Sequence, residues 1–366
     1  MTFDVPIDYR TTSQSLLNID DRTRTNVFAW NGQFSPQFIE TMLTQFAGED
    51  VTVYDPFMGS GTVLGESARL GLASFGTELN AAPYYMSKIY ELCNLDLLER
   101  HRLLCDLEES MTDIHAILES DDDIIKCLVI LLDLFNNEPS MDLAMQKWDK
   151  LKELIMQLPY SARPIHAYMG DSRTIDLPED SASFMITSPP YINVFNYHQK
   201  YRRSVEALGY DVLRTARSEI GANRKNRQNR LLTVVEYCND MMLSMYNSMR
   251  ICHEESRMIY IVGRESAVLG YHFCNSKIVY EIARSLGLVF DIRQERCFKN
   301  RKSRISPDAL IRKAREIAKS TLHEMEPLEN EHADLLASAI QKIDYVKISG
   351  GILDGCAWGQ TESVIV

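Results

Sequence analysis

The chain has 366 residues, 45% of them hydrophobic and 25% charged, which suits a large globular domain carrying insertions. Its net charge of −12 argues against a protein that simply coats nucleic acid, and its most apolar run, 127–135, is too short to span a bilayer and contains Asp133. Eight cysteines lie scattered without CxxC pairs or His/Cys ligand spacing, which fits reduced cytoplasmic thiols better than a disulfide framework or a metal site. The opening residues, MTFDVPIDYRTT, lack the basic-then-apolar pattern of a signal peptide.

Residues 50–80, DVTVYDPFMGSGTVLGESARLGLASFGTELN, hold the clearest pattern. A β-branched strand at 51–54 runs into Asp55-Pro56 and a glycine-rich turn. A helix follows with apolar residues Val63, Leu64, Ala68 and Leu70, and Gly71 serves as its C-cap. A second strand ends at Glu78. This strand–turn–helix–strand unit begins a parallel α/β sheet. Residues 81–157 read as helical, broken at 136–142, and the strand pattern resumes at 165–173 and 181–187. A helix over 234–256 leads into a strand at 257–263, a helix at 275–286 and a strand at 287–292. Ser306-Pro307 starts a basic helix over 307–319, and the tail holds candidate strands in YVKI (345–348) and ESVIV (362–366).

Charge divides the chain. Residues 195–320 hold 24 Lys/Arg against 13 Asp/Glu, while 95–160 hold 15 acids against 6 bases. One basic region within an acidic body suits engagement of phosphates on one side.

Gly59, Gly61 and Gly65 follow the first strand with GxGxxxG spacing, one residue longer than the dinucleotide fingerprint. Such a turn lets backbone approach a ligand near a helix N-terminus, and Glu78 at the end of the next strand suits two ribose hydroxyls. The pattern points to a nucleoside-containing cofactor without deciding which.

DPFMGSGT, followed downstream by TSPPY, resembles the S-adenosylmethionine-dependent amino-methyltransferases of DNA. Phe57-Met58-Gly59-Ser60-Gly61 is similar to their FxGxG cofactor motif, and Ser188-Pro189-Pro190-Tyr191 to their [DNS]PP[YFW] catalytic motif. FAWNGQFSPQFIE (28–40) resembles their helix entry and GDSR (170–173) their acidic turn after the third strand. The resemblance covers roughly 28–90 and 163–295. It implies an α/β, Rossmann-like class I methyltransferase fold, with a mostly parallel seven-stranded sheet flanked by helices. On that reading 1–94 is the cofactor-binding part, 95–160 an acidic helical insertion, 161–295 the catalytic part, and 296–366 a C-terminal basic segment for target recognition.

The same resemblance implies that Asp55 meets the methionine ammonium of S-adenosylmethionine, and that Gly59, Gly61 and Thr62 form the close turn. Glu78 then binds the ribose, Asp171 the adenine amino group, and Phe34 and Phe57 pack on the cofactor. The target of such enzymes is an exocyclic amine whose lone pair is delocalised into its ring. Ser188 Oγ and the Pro189 carbonyl would hold the amine hydrogens and turn the lone pair toward the methyl donor. Proline fixes that carbonyl, and Tyr191 would stack on a base flipped from the duplex. Methylation at cytosine carbon 5 needs an attacking cysteine, usually after proline, and no proline here precedes cysteine. Within the family the Ser form goes with cytosine N4 and Asp or Asn forms with adenine N6. The expectation is therefore cytosine N4 in double-stranded DNA, with adenine N6 as the alternative. No PD…(D/E)xK nuclease pattern is seen, so any restriction endonuclease would be a separate chain. The contrasting reading is an idle methyltransferase fold used as an assembly subunit.

Two basic clusters flank the proposed site. Arg214, Arg217, Arg224, Lys225, Arg227 and Arg230 form the first, expected as a mobile basic loop over 214–230, and Arg296, Lys299, Arg301, Lys302 and Arg304 the second. Both are expected to contact DNA phosphates. His198 and His253 receive no role.

Overall fold

The computed structural model describes residues 6–20, 23–193, 195–222, 229–263, 265–297 and 361–365. Its first helices, α1 (Gln14–Asn18) and α2 (Pro36–Phe46), precede β1 (Thr52–Asp55). Then come α3 (Thr62–Arg69), β2 (Ala73–Glu78) and α4 (Ala81–Lys88), followed by a 3-10 turn, Ile89–Asn94. A helical layer of α5 (Leu97–Ser110), α6 (Ile114–Leu118), α7 (Asp123–Leu132) and α8 (Met141–Met156) leads to β3 (Ile165–Met169) and β4 (Ala182–Thr187). After the catalytic-motif loop come α9 (Arg202–Ala207), α10 (Val212–Ser218) and α11 (Leu232–Ile251). The chain continues through β5 (Cys252–Gly263), the hairpin β6 (Glu265–Val268) and β7 (Tyr271–Cys274), α12 (Asn275–Ser285), β8 (Arg293–Cys297) and β9 (Thr361–Ile365).

Seven strands form one sheet in the order β3-β2-β1-β4-β5-β9-β8, the Rossmann-like methyltransferase arrangement expected. β1 pairs in parallel with β2 (Thr52↔Ala73) and with β4 (Val53↔Phe184), and β4 pairs in parallel with β5 (Ile186↔Ile259). The central strands are buried on both faces, as Val53, Tyr54, Phe184, Met185 and Ile186 require. The last strand, β9, runs antiparallel to β5 (Ile261↔Val364). Strand order reverses between β1 and β4, and ligands of open α/β sheets bind at the carboxyl ends of strands at such a reversal.

Two compact units are present, residues 1–295 with 362–366 and residues 296–361. The final strand, from Glu362 on, belongs to the first unit. In the helical layer, Asp96, Asp113, Asp122 and Ser140 cap α5, α6, α7 and α8 through their side chains. Arg100 is 1% exposed and donates to the backbone carbonyls of Leu92 (2.8 Å), Ile155 (3.3 Å), Leu158 (2.6 Å) and Pro159 (2.8 Å). The guanidinium thus satisfies carbonyls at the end of α8 and beside the 3-10 turn.

Several boundaries differ from the sequence reading. α11 stops at Ile251, and β5 begins at Cys252 instead of 257, because Cys252 pairs with Ala182 across an irregular register. Residues 287–292 are not a strand. Gly287 (φ +87°) ends α12 in a Schellman motif, with Leu288 N–H on the Ala283 carbonyl (3.1 Å) and Gly287 N–H on the Arg284 carbonyl (3.1 Å). Phe290 packs on Tyr280 of that helix, ring centroids 4.3 Å apart, so the apolar run serves the cap and not the sheet. The β6–β7 hairpin was not expected, since its two-residue turn is Leu269-Gly270, both at positive φ, without the usual Asn or Asp. The helix expected over 307–319 and the strand in YVKI lie outside the described residues. The second tail segment forms β9, Thr361–Ile365, while Val366 lies outside the described residues.

Candidate active site

β1 ends at Asp55, and Pro56 turns the chain into the glycine loop. Asp55 Oδ1 accepts hydrogen bonds from Phe57 N–H (3.0 Å) and from Thr187 Oγ1 (2.6 Å) at the end of β4. One carboxylate therefore ties the two strands at the reversal. Glu78, at the end of β2, accepts from Gly59 N–H (3.1 Å) and Asn80 N–H (2.8 Å), fixing the loop's tip.

The glycines act differently from one another. Gly59 lines the cavity beyond β1 and β4, whereas a Cβ on Gly61 would fall 2.8 Å from Tyr90 Cδ2, and one on Gly65 2.5 Å from Tyr90 Cε1. Gly61 and Gly65 make room for that buried ring, and Gly61 lies outside the cavity lining. The loop preceding α2 is stitched to the glycine turn. Ser60 Oγ donates to Gln33 Oε1 (2.8 Å), Thr62 Oγ1 to Asn26 Oδ1 (2.9 Å), and Asn26 Nδ2 to the Phe34 carbonyl (2.6 Å).

A cavity opens at the carboxyl ends of the central strands. Of the residues expected to bind cofactor, Phe34, Phe57, Gly59, Thr62, Glu78 and Asp171 line it, and Ser188 and Pro190 of the catalytic motif line the same space. Asp55, Gly61, Pro189 and Tyr191 stand outside the lining. Asp171 is engaged by Arg173, whose Nε reaches its Oδ1 at 2.8 Å and whose Nη2 reaches Oδ2 at 2.5 Å. Ser188 Oγ lies 3.1 Å from Tyr191 Oη, and the Tyr191 ring packs at Gly263, where a Cβ would fall 3.0 Å from Cε2.

Sequence reasoning missed Trp30, Asn80, Tyr197 and Glu219, which also line the cavity. Tyr197 stacks on Trp30 (centroids 6.1 Å, 25° between planes), and Lys200 donates to the Ala29 carbonyl (2.6 Å). The segment after the catalytic motif thereby packs on the loop before α2. His198, given no role from sequence, bonds Glu219 through both its backbone N–H (2.6 Å) and Nδ1 (2.8 Å).

Among the residues expected on DNA, Arg214 and Arg217 are exposed on α10, the helix that leads into the cavity wall. Arg230 is half-buried and bonds Asn193 in the loop after Tyr191. Arg296 is 3% exposed, which withdraws it from the surface where a phosphate contact was expected. Arg224, Lys225, Arg227, Lys299, Arg301, Lys302 and Arg304 lie outside the described residues. Among the described residues no helix is long and apolar enough to cross a membrane.

Burial pushes Asp55 up to about 7 against the hydrogen bonds from Thr187 and Phe57, and pushes Glu78 up to about 7 with a smaller repulsion from Glu219. Asp55, Glu78, Asp171 and Glu219 all gather at or beside one cavity. Such a set of acceptors repels a pyrophosphate and favours a ligand offering positive charge and hydroxyl hydrogens, as an adenosyl sulfonium with an amino-acid tail does.

A pH dependence follows. In the folded chain these two carboxylates keep protons up to about pH 7 that unfolded ones release near their ordinary 3.8 and 4.5. They therefore lower the stability of the ligand-free protein as pH rises from about 4 to about 7. A cationic ligand favours the ionised forms, so binding releases protons. Its affinity is expected to rise between about pH 5.5 and 7 and then level off. Calorimetry in buffers of different ionisation heat checks this, and a flat affinity with no proton release would refute it.

A DNA methylase family model, that of the N6/N4 methyltransferases, matches residues 9–89. The chain is 26% identical over 125 residues to the type II methyltransferase M.MjaII of Methanocaldococcus jannaschii, covering 34% of this chain and 23% of the relative. It is 37% identical over 81 residues to the type II methyltransferase M.MvaI of Kocuria varians, covering 22% of this chain and 17% of the relative. The aligned parts thus span less than a quarter of either relative's length. Among solved structures, an S-adenosylmethionine-dependent methyltransferase of Methanosarcina mazei aligns with a TM-score of 0.35 at 8% identity, covering 72% of this chain and 91% of that one. A putative sarcosine dimethylglycine methyltransferase of Galdieria sulphuraria aligns with a TM-score of 0.36 at 8% identity, covering 93% and 92%.

Proposed function

We propose, from the match of residues 9–89 to the DNA methylase family model, that the chain methylates the exocyclic N4 amine of cytosine in double-stranded DNA. Its cofactor is S-adenosylmethionine, which supplies an electrophilic sulfonium methyl when bound. The observation that carries the reading is that Ser188 and Pro190 line the same cavity as Glu78 and the Gly59 turn, so an amine acceptor and a nucleoside site share one space.

On this reading Glu78 holds the ribose, and Asp55 lies at the strand end near the amino-acid tail. Asp171 keeps acceptor capacity beyond its pair with Arg173, because a carboxylate has about four lone-pair sites. Ser188 Oγ lies 3.1 Å from Tyr191 Oη, and with the serine as donor in that bond its oxygen lone pairs serve the amine hydrogens. The Pro189 carbonyl is the second acceptor. Both draw the nitrogen lone pair out of conjugation and aim it, so positioning supplies much of the rate. Tyr191 supports a flipped base, and the exposed Arg214 and Arg217 meet the DNA backbone. The two named relatives are type II methyltransferases, which supports a place in a restriction-modification system with the endonuclease on a separate chain.

Mixed-sequence DNA incubated with the protein and cofactor, then hydrolysed and examined by mass spectrometry, is expected to contain N4-methylcytosine. N6-methyladenine in its place would overturn the choice of base. Cofactor binding without any methylated base would overturn the enzyme reading.

A further inference from the structure

The stretch from Ser218 to Gly221 touches three parts of the site. The Ser218 carbonyl accepts from Arg173 Nη2 at 2.9 Å, and that same guanidinium holds Asp171. Glu219 takes both hydrogen bonds from His198 on one side. The Gly221 carbonyl accepts from Asn193 N–H at 2.8 Å, two residues beyond Tyr191. Gly221 has φ +68°, and a Cβ there would fall 2.9 Å from the Tyr191 carbonyl oxygen, so only glycine fits against the catalytic loop.

Glu219 is 3% exposed overall and still lines the cavity, across from Asn80 and Glu78. Its field raises the pKa of Glu78, which places two carboxylates on one small volume. His198 uses one acceptor site on each Glu219 oxygen and the Asn80 side chain bonds the same carboxylate, and a carboxylate's roughly four lone-pair sites still leave it acceptor capacity. Such a pair is a poor arrangement for stability alone and a good one for a ligand that brings hydroxyl hydrogens.

We infer that Glu219 is a second carboxylate of the ribose subsite, facing Glu78, and that the Ser218–Gly221 stretch, bonded at Gly221 to Asn193, couples filling of that subsite to placement of the catalytic loop 188–193. This rests on the cofactor reading given above. The ribose is gripped by one acid from the sheet and one from the segment that braces Tyr191. Cofactor and target-base pockets are thereby assembled together.

The test is calorimetric titration of S-adenosylhomocysteine into the full chain and into Glu219→Gln, with Trp30 emission followed in parallel because Tyr197 stacks on it. Glu219→Gln is expected to weaken binding about tenfold, equivalent to about 1.4 kcal/mol, and to shrink the emission change. Adenosine and 2′,3′-dideoxyadenosine form the second arm. The parent should prefer adenosine by a margin that the variant largely loses. Glu219→Asp, which retracts the carboxylate, should lose the same margin and serves if the Gln variant melts early. Equal affinity in parent and variants, or equal losses for adenosine and its dideoxy analogue, would overturn the inference while leaving the cofactor reading intact. A parent that fails to bind S-adenosylhomocysteine would overturn that reading and the inference with it.

Discussion

Replacing Ser188 by alanine is expected to slow methyl transfer by about 10²–10³-fold, the loss typical of one transition-state hydrogen-bonding group. Affinity for S-adenosylhomocysteine should stay within about twofold of the parent, because the binding acids sit on other strands. Thr187, one residue earlier, points to the opposite duty, since its hydroxyl donates to Asp55 at 2.6 Å. On the proposed reading, adjacent hydroxyls at the end of β4 face different tasks, Thr187 holding Asp55 and Ser188 the amine. Single-turnover transfer measured beside calorimetric binding separates them. A matching fall in cofactor affinity in Ser188→Ala would remove the serine from its assigned place. Tyr191→Phe, which keeps the ring and deletes the Ser188 contact, should lose less than Ser188→Ala.

Arg100→Ala should give the largest loss of stability, about 3–5 kcal/mol, as for breaking a buried charged network. Its guanidinium is 1% exposed and reaches carbonyls of Leu92, Ile155, Leu158 and Pro159; alanine would remove this donor from all four, leaving Leu92 and Ile155 with only their backbone N–H partners. Burial lowers the pKa of Arg100, yet arginine keeps its charge even so. The urea midpoint should fall sharply. Cofactor affinity at low temperature should not change, since Arg100 is absent from the cavity wall. A midpoint within about 1 kcal/mol of the parent would mean that water takes over the carbonyls.

Much of the site was legible in the sequence for a physical reason. A sheet strand must stop where its backbone can no longer pair, so Asp55-Pro56, Glu78 and Ser188-Pro189 announce the strand ends that bound the cavity. Glu219 was not legible. It lies at the close of α10, and nothing local distinguishes it from any acid beside an arginine-rich stretch. Its place depends on His198, 21 residues earlier, and on Gly221 lying against Tyr191. Trp30 and Tyr197 were hidden likewise, because their stacking joins loops distant in sequence. Gly61 and Gly65 were read as space for a ligand, while the space is taken by Tyr90. Glycine reports that something comes close and not what. The run 287–292 looked like a strand because apolar residues serve a helix cap as readily as a sheet.

β9 sits between β5 and β8, so residues late in the chain close that margin of the sheet, far in chain order from the β1–β4 crevice. Removing β9 would strip Tyr260 to Gly263 of β5 of their antiparallel partner and present an open edge to other chains.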